Sequence, residues 1–99
     1  MAAVESAFVL RVPDDVATLL RKLHPVIKSQ LKSGLSSIIE DSWRGKALKD
    51  PLRGPRSYRV KRYRIIYRIR AKTKHLEIVA VGPRNIIYEE TFRLISKDR

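Results

Sequence analysis

The sequence predicts an α+β fold: an N-terminal strand, a helical hairpin, then an antiparallel β-meander with a short C-terminal helix. Three observations predict it. Apolar residues recur at three- and four-residue spacing between Val16 and Ile39, the signature of helices with one buried stripe. Ser57 to Arg70, SYRVKRYRIIYRIR, alternates cations with tyrosine, valine and isoleucine at the period of a strand. Leu76 to Val81, LEIVAV, is nearly continuous in apolar residues and is stopped by Gly82-Pro83, so it reads as a central strand covered on both faces. Strands and helices fall in separate runs, which places the helices on one face of the sheet and leaves the other for a ligand.

Taken in order, Ala7 to Val12 is a short run of strand formers ended by Pro13, and Asp14 or Asp15 is expected to cap the next element. Val16, Leu19, Leu20 and Leu23 mark a helix of about ten residues, closed by His24-Pro25. A second helix runs from about Pro25 to Glu40, with Val26, Ile27, Leu31, Leu35, Ile38 and Ile39 on its buried side and Gly34 as a weak point. Asp41 to Ser57 holds Gly45, Pro51, Gly54 and Pro55 and reads as a loop. The hairpin follows. A turn at Lys61 and Arg62 sets Val60 against Tyr63, Arg59 against Arg64 and Tyr58 against Ile65. Tyr58, Val60, Tyr63, Ile65, Tyr67 and Ile69 then share one face, and Ser57, Arg59, Arg64, Ile66, Arg68 and Arg70 the other. Two opposed arginines repel, so their pairing costs stability unless an anion is expected between them. After the last strand, a helix from Tyr88 or Glu89 would use Phe92, Leu94 and Ile95 for contacts and hold Glu89 and Glu90 in its first turn.

Ninety-nine residues with 43% apolar content make one domain, residues 1–99, with a single core. No window has the apolar length of a membrane span and no export signal is visible, so the expected compartment is the cytoplasm. Absence of cysteine removes disulfides, thiol catalysis and thiolate metal sites. His24 and His75 have no metal-ligand spacing, and no metal or cofactor is expected. The net charge of +12 is concentrated: Arg44 to Lys74 carries thirteen Lys or Arg against the single acid Asp50, while the rest of the chain balances. Because this basic run is interleaved with strand formers, its charge sits on a folded surface and points to a polyanion, nucleic acid foremost.

The common catalytic sets are missing: no Ser/His/Asp grouping, no HExxH, no phosphate-cradling glycine loop and no carboxylate pair flanking a cleft. What remains is cations and tyrosine, namely Arg59, Lys61 and Arg64 in the hairpin, then Arg84 and Tyr88 beyond the last strand. YRVKRYRIIYRI, LEIVAVGPR and Tyr88, following the strand–helix–helix order, resemble the RelE/ParE superfamily of toxins from toxin–antitoxin pairs. The resemblance covers nearly the whole chain and is most specific from Leu52 to Tyr88. It implies the RelE-like microbial RNase fold and, in the RelE branch, a metal-independent endoribonuclease that cuts messenger RNA in the ribosomal A site. In the ParE branch it implies a non-nuclease toxin that inhibits DNA gyrase. A non-toxic basic RNA-binding module is the third reading.

Carried over residue by residue, the resemblance assigns catalysis to Arg64, Arg84 and Tyr88, with Lys61 and Arg59 beside them. The hairpin turn is shorter than in RelE, which puts Lys61 in the turn, and Pro83 stands where a histidine or lysine is usual. RNA supplies its own nucleophile, the 2′-hydroxyl, so the protein must align it and stabilise charge on phosphorus. Guanidinium forks suit that task, and Tyr88 or Lys61 would take the 2′-proton, since neighbouring cations disfavour ammonium and favour phenolate. Arg56, Arg62, Arg68, Lys46 and Lys49 are expected to bind RNA backbone, with Arg70 solvated or steering phosphate. Tyr58, Tyr63 and Tyr67 are expected in the core, Trp43 as a cap over it, His24 at a helix end and His75 exposed. The implied partners are an acidic cognate antitoxin, messenger RNA on the ribosome, and promoter DNA only through the antitoxin complex, with no membrane.

Overall fold

Strand β1, Val9–Arg11, is ended by Pro13, whose fixed φ and missing amide hydrogen cannot continue a ladder. The computed structural model describes residues 8–49, 52–84, 87, 88, 91 and 93. Pro13 also occupies the N-cap of α1, Asp14–Lys22, where no side chain caps the end. The expected aspartate cap is thus corrected: Asp14 and Asp15 lie within the first turn, where acids complement the helix dipole. Helix α2, Pro25–Glu40, has the expected bounds. His24 begins it rather than ending α1, with Nδ1 accepting from the Val26 amide at 3.2 Å, and Pro25 suits the first helical position, where an amide would be unpaired anyway.

The expected loop from Asp41 to Ser57 contains a strand that its glycines and prolines concealed. Lys46–Ala47 forms β2 and pairs antiparallel with the start of β3, Arg56–Val60. Strands β3, β4 (Tyr63–Arg70) and β5 (His75–Pro83) form the antiparallel meander, and β1 joins β5 in parallel. The sheet order is β1-β5-β4-β3-β2, so β5 is interior and β4 is the middle strand. The hairpin register is the one alternation predicts, with Val60 opposite Tyr63, Arg59 opposite Arg64 and Tyr58 opposite Ile65. Lys61 takes a positive φ of 57° in the turn, a conformation that costs an L residue about 1–2 kcal/mol.

The main core lies between the helices and one sheet face. Val16, Leu31 and Ile38 pack there against Ile65, Tyr67, Leu76, Ile78 and Val81, with Tyr58, Val60, Tyr63 and Ile69 around them. The opposite face is not wholly open, as expected from the pattern, because Ile66 and Ala80 are covered by Ile87. A bulge in β5 makes this possible: Ile66 pairs with Ala80 and Tyr67 with Ile78, leaving Val79 as the extra residue. Ile87, Tyr88, Thr91 and Arg93 are helical; the expected contacts of Glu89, Glu90, Phe92, Leu94 and Ile95 lie outside the described residues. Among the described residues no helix is long and apolar enough to cross a membrane.

Further expectations change: Val26, expected on the buried side of α2, is exposed. Trp43 does not cap the core; it is 64% exposed, with the Arg56 guanidinium 5.2 Å from its ring centroid. His75 is half-buried as the first residue of β5, beside β1. What does tie residues 42–45 to the core is Tyr67, whose hydroxyl donates to the Ser42 carbonyl at 2.8 Å and accepts from the Gly45 amide at 3.0 Å. Burial pushes the Tyr67 phenol up from its ordinary value, against the opposing effects of the Gly45 amide and the Arg56 charge.

Gly34 proves to be a point of close approach rather than a weak one. A Cβ there would fall 2.6 Å from Val60 Cγ2 and 3.2 Å from Ile65 Cδ1. Gly34→Ala therefore gains about 1 kcal/mol of helix propensity and loses up to about 3 kcal/mol to overpacking. A net loss of about 1–2 kcal/mol is expected in chemical denaturation, and a gain in stability would contradict the close approach. Because burial makes the folded state hold the Tyr67 proton more tightly than the unfolded state, the Tyr67 contribution to stability is full below the ordinary phenol value of 10 and is lost as pH rises from there through the raised folded-state value. Unfolding free energy should fall more steeply above pH 10 in the parent than in Tyr67→Phe.

Candidate functional site

The face opposite the helices is where alternation delivers the hairpin arginines. Arg59 and Arg64 are directly opposed across β3 and β4, and their side chains part. Arg59 Nε donates to the Lys61 carbonyl at 3.2 Å, toward the turn. Arg64 goes the other way: its Nη1 donates to Ser57 Oγ at 3.1 Å, and its guanidinium carbon lies 5.6 Å from the centroid of the Tyr88 ring. Ser57 is 3% exposed, and its Oγ also lies 3.4 Å from the Tyr88 hydroxyl, with either atom able to donate. Cation, hydroxyl and phenol thus close into a triangle built from β3, β4 and the segment beyond β5.

Arg64 is unusual among the cations. Its Nε is buried and has no hydrogen-bond partner among the described residues, and it has no ion pair there. An arginine pinned at one nitrogen and stacked on a ring, with another donor unsatisfied, costs free energy as it stands and would gain from an anion. Ser57 was legible in the sequence only as a member of the arginine face. The signal that could have singled it out is its place as the one small hydroxyl residue among the cations of that face.

The other expected site residues divide. Arg84 begins the chain beyond β5, and its amide donates to the Arg62 carbonyl at 2.9 Å. That bond brings Arg84 to the turn end of the hairpin, beside Arg62, two residues past the Gly82 that pairs with Arg64. Arg84 lines a hollow with Ile27, Arg62, Tyr63 and Pro83. Lys61 is exposed in the turn, as its spacing implied. Lys46 and Lys49 are exposed at and after β2. Arg56 is committed to the fold, with Nε donating to the Gly45 carbonyl at 2.9 Å and Nη2 to that of Trp43 at 3.1 Å. Arg68 and Arg70 flank Glu77, at 3.9 and 3.1 Å, so part of their charge is already answered. Among the described residues, Arg59, Lys61, Arg62, Arg64 and Arg84 at the turn end of the sheet meet no acidic partner.

Removing the Ser57 hydroxyl should loosen this triangle. Ser57→Ala is expected to cost about 1–3 kcal/mol by leaving the Arg64 donor unpaired. In a double-mutant cycle with Tyr88→Phe, measured by denaturant unfolding, the two losses should couple by about 0.5 kcal/mol or more. Simple additivity would mean that the Ser57 and Tyr88 oxygens do not act on one another.

A family model described as the ParE toxin of type II toxin–antitoxin systems, parDE, matches residues 11–88. No curated protein matches the chain in sequence. Among solved structures, the toxin–antitoxin complex RelBE2 from Mycobacterium tuberculosis contains a chain 28% identical to this one, with a TM-score of 0.71 over 79% of this chain and 99% of that one. A mutant of the Escherichia coli toxin RelE in the free state is 18% identical, with a TM-score of 0.74 over 93% of this chain and 97% of that one. The archaeal RelE–RelB complex from Pyrococcus horikoshii OT3 is similar at 16% identity, with a TM-score of 0.62 over 79% and 96% of the two chains. At those lower identities the likeness speaks to the fold.

Proposed function

The chain belongs to the ParE toxin family of the RelE/ParE superfamily, and from that premise we propose that it is a toxin that cleaves messenger RNA. The observation that carries the reading is Arg64: a guanidinium with a buried, unpartnered Nε, lying over a tyrosine ring and facing no carboxylate among the described residues. Such a group is prepared for a phosphate.

In the proposed reaction the 2′-oxygen of the RNA forms a bond to phosphorus and the bond from phosphorus to the 5′-oxygen breaks. The products are a 2′,3′-cyclic phosphate and a 5′-hydroxyl. Arg64 meets the nonbridging oxygens, where charge develops, and Ser57 keeps its fork in place. Tyr88 relays the proton: its oxygen accepts the one leaving the 2′-hydroxyl as its own proton passes to solvent, and the departing 5′-oxygen takes a proton from solvent. Arg84 and Arg62, held together at the hairpin end, bind the backbone on one side, with Arg59 and Lys61 close by. Lys46 and Lys49 extend the attraction along the sheet edge. A catalyst with no histidine among these groups depends on another body to present the strand in cleavable geometry, which suits a ribosome-bound message in the cytoplasm.

Restraint of such a toxin calls for an acidic antitoxin that neutralises the basic face while burying apolar surface. The M. tuberculosis and P. horikoshii relatives were solved as toxin–antitoxin complexes, which supports a partner of that kind, and promoter DNA would be reached only through the complex. The gyrase-directed reading is favoured by one finding, the ParE designation of the matching family model.

Induced expression followed by primer extension on cellular messages separates the two. The parent should produce cuts inside translated codons, and Arg64→Ala and Tyr88→Phe should lower them by about 10²-fold or more. Undiminished cutting in both variants would remove these residues from the chemistry. Growth arrest with intact message and gyrase-linked DNA breaks would favour the ParE-like activity.

A further inference from the structure

Trp43 is a large apolar side chain that the fold leaves in solvent while fastening the backbone around it. Its ring is 64% exposed, yet the Tyr67 hydroxyl ties the residues on either side, donating to the Ser42 carbonyl at 2.8 Å and accepting from the Gly45 amide at 3.0 Å. Arg56 adds two more ties, from Nε to the Gly45 carbonyl at 2.9 Å and from Nη2 to the Trp43 carbonyl at 3.1 Å. The Trp43 amide donates to Asp41 Oδ1 at 3.3 Å, and the other oxygen of that carboxylate lies 4.0 Å from Arg44 Nε. The Arg56 guanidinium that holds the backbone also lies 5.2 Å from the indole centroid, so the ring is backed by a cation. Leaving an indole in water forgoes the free energy of burying it, and this anchored segment keeps it there. A flat, fixed, exposed ring in a basic neighbourhood is the kind of surface on which nucleobases stack. The neighbourhood is basic: Arg44 to Arg56 carries five cations against the single acid Asp50.

We infer that Trp43 is a stacking platform for an unpaired base of a folded RNA, separate from the strand that is cut. The register separates the two. Arg56 stands opposite Tyr67, on the sheet face that packs against the helices, whereas Arg64 stands opposite Arg59 on the other face. Arg56 is also three residues from Arg59, roughly 10 Å along the strand. A strand that lays its phosphate on Arg64 therefore runs over the arginine face and does not pass the indole that Arg56 backs. The base has to be unpaired, because a base inside a duplex is already covered by its neighbours, and folded RNAs display such bases in loops and bulges. The platform rests on the RNA-cleaving reading only for its purpose: a catalyst that needs another body to present the message gains from a second grip on that body. A ring from an acidic protein segment is the rival occupant. Bases joined by phosphates supply planar rings and negative charge in every unit, which suits an indole set among cations better than a segment that must alternate the two.

Trp43 is the only tryptophan in the chain, so its fluorescence reports on this surface alone. Four probes are titrated into the whole chain: an RNA hairpin with an unpaired adenine loop, the same hairpin with its loop bases removed, a linear RNA of the same composition, and inorganic polyphosphate. The RNAs carry 2′-O-methyl sugars, which have no free hydroxyl for cleavage. The intact hairpin should quench Trp43 saturably, and removing the loop bases should abolish the quench and weaken binding about tenfold. Trp43→Ala, followed by anisotropy of labelled RNA, should bind both hairpins alike, and Trp43→Phe should keep part of the preference. Thermal unfolding checks that Trp43→Ala, which removes an exposed ring, is folded. Equal binding of the two hairpins by the parent, an unquenched tryptophan, or a base preference that survives in folded Trp43→Ala would overturn the platform. So would polyphosphate quenching as strongly as the hairpin, or a linear strand binding more tightly than the loop. A glutamate-rich peptide that quenches Trp43 where the hairpin does not would assign the surface to a protein and overturn it as well. Quenching and base preference in a chain that cuts no message would keep the platform and refute the cleavage reading; cut message beside an unquenched tryptophan would do the reverse.

Discussion

The pairing of β3 with β4 through a two-residue turn is the constraint on which the rest depends. Side chains in paired strands have only two directions to point, and the Val60–Tyr63 register decides which set points where. It sends Tyr58, Val60, Tyr63, Ile65, Tyr67 and Ile69 to the helices and Arg59 and Arg64 to the other face. A slip of one residue would bury the arginines and expose the tyrosines, so the buried face holds the register against the repulsion of the opposed cations. Lys61 accepts a left-handed conformation in the turn because a longer turn would cost that register.

Charge is handled differently at the two ends of the sheet. Toward Arg68 and Arg70, Glu77 answers the cations, and at Arg56 two loop carbonyls and the Trp43 ring do so. Toward the turn no carboxylate meets Arg59, Arg62, Arg64 or Arg84 among the described residues. The chain thus spends part of its basic run on structure and leaves the rest where the strands end. A uniformly solvated charge run would show no such division.

Gly34 and Tyr67 show how the scaffold holds the hairpin from the helix side, one near the turn and the other at the far end. Gly34 lets α2 sit against Val60 and Ile65 without a side chain between them, and Tyr67 ties residues 42–45 to the middle strand through two hydrogen bonds. Both act on the helix side, so the arginine face is supported from behind by close packing. Ile66, Ala80 and Ile87 make a smaller apolar contact on the arginine side itself, and that contact carries Tyr88 to Ser57 and Arg64.

The sequence by itself determined the order of the elements other than β2, the bounds of α2, the hairpin register and which hairpin residues share a face, because periodicity and turn length are local properties. It also located the excess charge in one third of the chain. Other features escaped it. Strand β2 was hidden because a two-residue strand has no period to detect, and the β5 bulge because LEIVAV is apolar at nearly every position, so a change of phase leaves no trace. Trp43 reads in the sequence as a cap over the core because an aromatic near a helix end has no pattern that reveals its neighbour Arg56. Only the tertiary structure decided that Ser57 stands between Arg64 and Tyr88, thirty-one residues from the latter, and that Arg84 joins Arg62 beside Tyr63 and Ile27. Those meetings are set by how β5 pairs and where the chain turns after it, which is long-range packing that no local spacing encodes.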